Sequence, residues 1–258
     1  MGVDITHALE LQRRGIEAWM RAMASGAGHA HMFAADGVAA AVVPACPDRS
    51  VVNSVVYEDA GSLAAAYGGL AAAYEAAGVR AWTVWSPDND REAIALLRGE
   101  GHLFDGEPAA MLLDLDRLPS PDLGDLDWDA DASPREVGRI NDLAYGHHED
   151  GGYEPAIAQT SPGDGVRLYR ARVDGEPASV LETVDTGSDC MVAWVATLER
   201  FRGRALARRL LHAALTEARD RGMATSTLQA SRMGLPIYER LGYQTVCRLH
   251  MYERRTPE

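Results

Sequence analysis

Glu199-Arg200-Phe201-Arg202-Gly203-Arg204-Ala205-Leu206-Ala207 stands between a strand pattern, Cys190 to Thr197, and a helical pattern, Leu206 to Arg221. In the helix, Leu206, Leu210, Ala213 and Ala214 share one stripe, and Gly222 occupies the expected stop. A loop of small residues entering a helix leaves the first N–H groups unpaired and facing outward. With the positive end of the helix dipole, those donors form an anion site. Arg202 and Arg204 add guanidinium groups suited to phosphate oxygens. Pyrophosphate is the ligand such a loop fits.

Working outward, Ser133 and Pro134 open a helix that runs to Tyr145. His147 to Thr160 is polar and glycine-containing, a loop or short helix. Val166 to Val173 and Ala178 to Val184 read as strands joined at Asp174-Gly175, a hairpin signal. Beyond Gly222 come a strand (Ala224 to Gln229), a short helix (Pro236 to Leu241) and a last strand (Gln244 to Tyr252). Upstream, Asp114 to Ser133 holds seven aspartates with Pro119 and Pro121, the pattern of an exposed connector, though Leu126 to Ala132 could begin a strand.

The region before the connector repeats part of this order. Val51 to Glu58 and Ala81 to Ser86 read as strands, Ser62 to Ala77 and Asp90 to Arg98 as helices, and a strand pair follows, ending near Leu115. Gly78 matches Gly222 and Gly101-His102 matches Gly242-Tyr243, which points to a duplicated strand–helix unit and an α/β architecture with a mixed sheet. The chain's 258 residues are enough for two such domains. The opening stretch to Glu17 is polar and amphipathic.

Composition narrows the function. Net charge is −13, which disfavours nucleic acid and anionic membrane surfaces as partners. No apolar run reaches the roughly 20 residues of a membrane helix. Cys46, Cys190 and Cys247 are odd in number, widely spaced and without metal-ligand spacing, so a reduced, cytoplasmic setting is expected. All 25 basic residues are arginine, the mark of a codon bias rather than of a binding surface.

The loop and helix from Arg202 to Ala207 resemble the acyl-CoA signature, Arg/Gln-x-x-Gly-x-Gly/Ala, of the GNAT N-acetyltransferase superfamily; Ala205 replaces the usual glycine. Leu235-Pro236-Ile237-Tyr238-Glu239-Arg240-Leu241-Gly242-Tyr243 is similar to the family's short helix ending in Tyr-Glu-Lys/Arg-x-Gly-Phe/Tyr. Ser231 and Gly234 stand where the family often has Asn and Ala. The resemblance implies two GNAT-like domains, each a mixed, mostly antiparallel sheet flanked by helices. Residues 1–118 would be a degenerate copy and 119–258 the acyl-CoA-binding catalytic copy. The first copy's loop, Glu58-Asp59-Ala60-Gly61-Ser62, has two carboxylates and no arginine, a charge that repels pyrophosphate.

The resemblance further implies an N-acetyltransferase that moves an acetyl group from acetyl-CoA to a primary amine of a small molecule. Acetyl-CoA would be held by Val195, Ala196 and Thr197 of the strand, by the loop residues Arg202, Gly203, Arg204, Ala205, Leu206 and Ala207, and by Ser231. Tyr238 is the candidate acid for the leaving thiolate, against a role in packing its helix. Glu182 is the candidate proton relay, against a simple exposed strand residue. No metal is called for: His147, His148, Glu149 and Asp150 lack a third ligand at suitable spacing and read as a solvated loop or as acceptor contacts. A homodimer is an allowed assembly. The other reading is a non-catalytic acyl-CoA sensor or interaction module on the same scaffold.

Overall fold

The computed structural model describes residues 4–26, 28–147 and 151–256. The N-terminal half runs α1 (Ile5–Ala24), β1 (His31–Ala35), β2 (Val38–Val42), β3 (Ser54–Tyr57), α2 (Ala60–Ala76), β4 (Ala81–Pro87), α3 (Arg91–Gly99), β5 (Leu103–Gly106) and β6 (Ala109–Asp114). The C-terminal half runs β7 (Asp127–Asp129), α4 (Pro134–Tyr145), α5 (Glu154–Ile157), β8 (Val166–Val173), β9 (Glu176–Thr186) and β10 (Asp189–Thr197). It continues with α6 (Leu206–Asp220), β11 (Thr225–Ala230), α7 (Leu235–Leu241) and β12 (Gln244–Arg255). The order β3-α2-β4-α3-β5 is thus written again as β10-α6-β11-α7-β12.

The strands form a single mixed sheet in the order β1-β2-β3-β4-β12-β6-β11-β10-β9-β8-β7, with β5 set against β12. Its pairs are antiparallel except β3/β4 and β10/β11. The sheet does not divide at the connector. β6, from the N-terminal half, lies between β11 and β12, with Ala109–Asp114 facing Ala230–Thr225 on one side and Arg248–Gln244 on the other. The far end of β12, Leu249–Arg255, returns the exchange by pairing with Pro87–Ala81 of β4. Each half therefore places a strand inside the other's portion of sheet. His102 seals the junction: its Nδ1 meets the Tyr252 carbonyl at 2.9 Å and its Nε2 meets the Tyr67 hydroxyl at 2.9 Å. Burial lowers its pKa to about 4, so the ring stays neutral.

Three apolar layers cover this sheet. Val55, Leu63, Leu70, Trp82 and Leu97 pack α2 and α3 on one face of the N-terminal strands. Leu210, Leu211, Ala214, Leu228 and Leu241 pack α6 and α7 on the C-terminal strands. The third layer is shared: α1, α4 and α5 lie with Ala39, Ala41, Val180 and Met191 in one core. Helix α1 touches strands of both halves, and Gly15 is what lets it approach. A Cβ there would stand 3.1 Å from Met191 Cβ and from Thr227 Oγ1.

One expectation from sequence is corrected and two features are added to it. The strand expected from Val51 is confined to Ser54–Tyr57, because the Asn53 side chain folds residues 43–53 into turns. Its Oδ1 accepts from Val43 N at 2.7 Å, and its Nδ2 donates to the carbonyls of Cys46 and Arg49 at 3.0 Å. The hairpin of β1 and β2 was not expected; β2 reads Val-Ala-Ala-Ala-Val, buried throughout, and small residues serve there because helices press on both faces. The aspartate-rich connector is exposed along most of its length, as expected, with only Asp129 of its aspartates half-buried, and it is also pinned. Leu115 and Leu118 are buried, Arg209 Nε donates to the Leu123 carbonyl at 2.8 Å, and β7 pairs with β8.

Candidate acyl-transfer cleft

Where parallel β10 and β11 part, a cleft of about 310 Å³ opens between the N-terminus of α6 and the short helix α7. The strand wall is Val195, Ala196 and Thr197. It begins at a bulge: β10 loses register with β9 between Ala193 and Ala196, and Trp194 adopts a positive φ of 50°. A left-handed conformation is strained for a bulky side chain, and such strain is held only by tight surroundings. Here Trp194 is gripped by Trp19 of α1 (ring centroids 5.6 Å) and Tyr153 (5.3 Å).

The loop contributes Arg202, Gly203, Ala205, Leu206 and Ala207 to the same cleft. Gly203 has φ +81° and Ala205 φ +57°, which is why a glycine suits either position. Ala205 is the residue before α6 and offers no side-chain cap, so the first turn's amides open toward the cleft. Arg202 reaches sideways: Nη2 donates to the Ala144 carbonyl at 2.5 Å and Nε to the Thr197 carbonyl at 3.4 Å. It therefore bolts the end of α4 to the loop. Arg204, expected among the ligands, is not on the cleft wall; its guanidinium lies 5.6 Å from the Phe201 ring centroid.

Opposite the loop stand Ser231 and Tyr238. Ser231 Oγ accepts from Gly234 N at 3.2 Å, shaping the turn before α7. A Cβ at Gly234 would come within 2.9 Å of Tyr238 Cε2, so glycine sets where that ring lies. Burial raises the Tyr238 pKa, reinforced by Tyr145, and the phenol stays protonated across ordinary pH. Tyr145 was not anticipated from sequence. It lines the cleft from the last turn of α4, and its hydroxyl donates to the Val195 carbonyl at 3.3 Å. Nothing in its local pattern signals this, since only the fold of α4 across β10 brings it there. Met233 and Ile237, also unanticipated, extend the apolar wall.

Glu182 is separated from this group. Period-two alternation on β9 sets it with Ala178, Val180 and Val184, on the face covered by α1 and α4. It pairs across the strands with Ala193, beside the bulge but off the cleft wall. It is not the exposed strand residue the sequence allowed, because α1 and α4 cover that face. It is only 2% exposed, its Oε1 has no hydrogen-bond partner among protein atoms, and burial pushes its pKa up to about 8. The indole N–H groups of Trp19 and Trp194 are likewise buried without partners.

On the α4 side, Asp142 accepts from Tyr153 N and Glu154 N, both at 2.8 Å, and fixes the start of α5. Of the histidine run, His147 sits 5.6 Å from the Tyr153 ring; His148, Glu149 and Asp150 lie outside the described residues. Among the described residues no three His, Cys, Asp or Glu side chains gather into a metal-binding group. No helix there is long and apolar enough to cross a membrane. Burial raises the thiol pKa of Cys46 and of Cys247 to about 11, which suits packing rather than nucleophilic attack.

Residues 153–254 match the acetyltransferase (GNAT) domain family, a span that takes in the whole cleft apart from Ala144 and Tyr145. No curated protein matches the chain in sequence. Among solved structures, a GCN5-related N-acetyltransferase from Kribbella flavida superposes with a TM-score of 0.68 at 18% identity. That match covers 100% of this chain and 97% of the other. A GCN5-related N-acetyltransferase from Sphaerobacter thermophilus gives 0.57 at 18% identity, over 94% and 93% of the two chains. A tandem GNAT protein from the clavulanic acid biosynthesis pathway gives 0.51 at 14% identity, over 95% and 96%. At these identities the likeness is one of fold.

Proposed function

We propose, from the match of residues 153–254 to the acetyltransferase (GNAT) domain family, that the chain is an acyl-CoA-dependent N-acetyltransferase whose acceptor is the primary amine of a small molecule. One observation carries the reading: a protonated, buried phenol and an uncapped helix N-terminus face each other across a single apolar cleft. The open amides of the first turn of α6 would receive the pyrophosphate, with the loop backbone at Gly203 and Ala205 letting it approach closely. The strand wall from Val195 to Thr197 and the apolar residues Met233 and Ile237 suit the pantetheine arm. Bound acyl-CoA supplies the activated thioester.

Tyr238, on the cleft wall, would give its proton to the sulfur as that atom gains charge. Glu182, raised to a pKa of about 8 by burial, lies beyond the bulge and off the cleft wall, so any part it takes as base would pass through water rather than direct contact. In the N-terminal half the matching helix start is closed: Asp59 accepts from Ser62 N at 2.9 Å, and its carboxylate stands where a phosphate would go. That half is read as a degenerate copy that does not hold acyl-CoA.

The second reading, a non-catalytic acyl-CoA sensor, draws on the absence of Asp and Glu from the cleft wall among the described residues. A panel of primary amines assayed for thiol release from acetyl-CoA separates the two. Amine-dependent release supports the enzyme; saturable acetyl-CoA binding with no release for any amine supports the sensor. Absence of acetyl-CoA binding removes both.

A further inference from the structure

We infer that the N-terminal half holds a second small-molecule site, one that takes a hydrophobic organic cation. The proposal goes beyond acyl transfer and does not rest on it. A cavity of about 290 Å³ lies between α1 and the carboxyl ends of parallel strands β3 and β4. It occupies in this half the position that the acyl cleft occupies between β10 and β11, and it is nearly as large. The carboxyl ends of parallel strands are where open α/β sheets admit ligands.

The walls decide the ligand's chemistry. Ile16, Val56, Trp85 and Leu249 give an apolar interior able to hold a ring or short hydrocarbon. Trp85 already donates its indole N–H to Ser54 Oγ at 2.8 Å, which leaves the ring itself for apolar or cation–π contact. Charge on the lining comes from three carboxylates, Glu10, Glu58 and Asp90, against one guanidinium, Arg13. Asp90 is engaged, accepting from the Tyr57 hydroxyl at 2.9 Å and from Ala93 N at 3.1 Å. Arg13 is spread over Glu10 at 2.9 Å, Glu17 at 3.2 Å and Glu58 at 3.4 Å. Glu58 has the longest of these pairings and the most exposed carboxylate, at 57%. An ammonium at the mouth would take Glu58 as its counter-ion while its hydrocarbon enters past Trp85. An anion of the same shape meets a net negative lining.

The test is titration calorimetry of the full chain with 2-phenylethylammonium, and with 3-phenylpropionate as its anionic counterpart. The ammonium should bind saturably and at least about tenfold more tightly than the carboxylate. Glu58→Gln should weaken it about three- to tenfold, as should raising the salt concentration. Leu9→Trp, from a half-buried position on α1, fills the cavity and should abolish binding. No saturable binding up to about 10 mM, a range weaker than ordinary specific sites, overturns the proposal. Equal affinity for the two probes, or binding that survives Leu9→Trp in a protein with an unchanged melting curve, overturns it as well. Should Leu9→Trp not fold, Glu58→Gln decides alone, and unchanged affinity in that variant counts against the site.

Discussion

Tyr238 and Tyr145 face the cleft from different elements, close enough that ionising one disfavours ionising the other. Tyr238→Phe keeps the ring that Gly234 makes room for and removes only the proton donor. Turnover should fall about 10²-fold with acyl-CoA affinity nearly unchanged; normal turnover would assign the ring to packing. Ala205 bears a methyl group in a left-handed conformation. Ala205→Gly should therefore raise stability by about 1 kcal/mol in a chemical denaturation, without loss of acyl-CoA affinity. Glu182 gives a pH signature. Its pKa is about 8 in the fold against about 4.3 unfolded, so the folded state holds a proton that the unfolded state releases in between. Stability tied to that proton is complete below about pH 4 and is lost as pH rises through 8, at up to about 1.4 kcal/mol per unit. Glu182→Gln should remove that slope, gaining on the parent between pH 5 and 8 and keeping a constant lead above. Asp189, raised to about 6 by burial, slopes in the same sense in both proteins and cancels from the difference.

Arg202 makes two of the bonds that join the elements around the cleft. Arg202→Ala should weaken acyl-CoA binding by about 1–3 kcal/mol and speed amide exchange at residues 144–147, where α4 would lose its tie. Exchange that stays unchanged would show that α4 is held by its packing alone. The cleft was legible in sequence to the extent that it is local. The glycine-bearing loop, the helix stripe after it and the helix of Tyr238 each follow from neighbours within about one or two turns. Tyr145 was not legible, because it depends on α4 crossing a strand 50 residues later. Glu182 was recognised as a candidate, but its burial was not legible, because α1 and α4 cover its face from distant parts of the chain. Strand β2 was missed because three alanines carry almost no strand preference, and their smallness is explained only by helices on both sides. The connector's exposure was legible from its aspartates, but its path was not, since Leu115, Leu118 and Arg209 fix it.

Over the whole molecule, the duplicated order of elements could be read from landmark glycines, whereas the exchange of strands could not, since nothing within β6 or β12 specifies a partner beyond the connector. The exchange governs what a fragment can do. Residues 119–258 alone would leave β11 without β6 beside it and expose Leu249–Arg255 as an unpaired edge. That fragment should be insoluble or aggregate in size-exclusion chromatography; a monomeric, active fragment would show the halves to be independent. The intact chain should bind one acetyl-CoA by calorimetry, and a stoichiometry near two would restore the N-terminal half as an acyl-CoA site.

Strand β12 also sets a timetable. A ribosome delivers residues 244–255 after every other strand of this sheet, yet the finished sheet holds them between β4 and β6. Until they emerge, the nascent N-terminal half has its helices but an open edge along β4, a state that invites wrong pairing. The fold is thus closed by its latest arrival, and the half made first is completed last. Arrest of translation at successive lengths should leave the nascent chain sensitive to protease until β12 has cleared the exit tunnel, when protection should appear in both halves together.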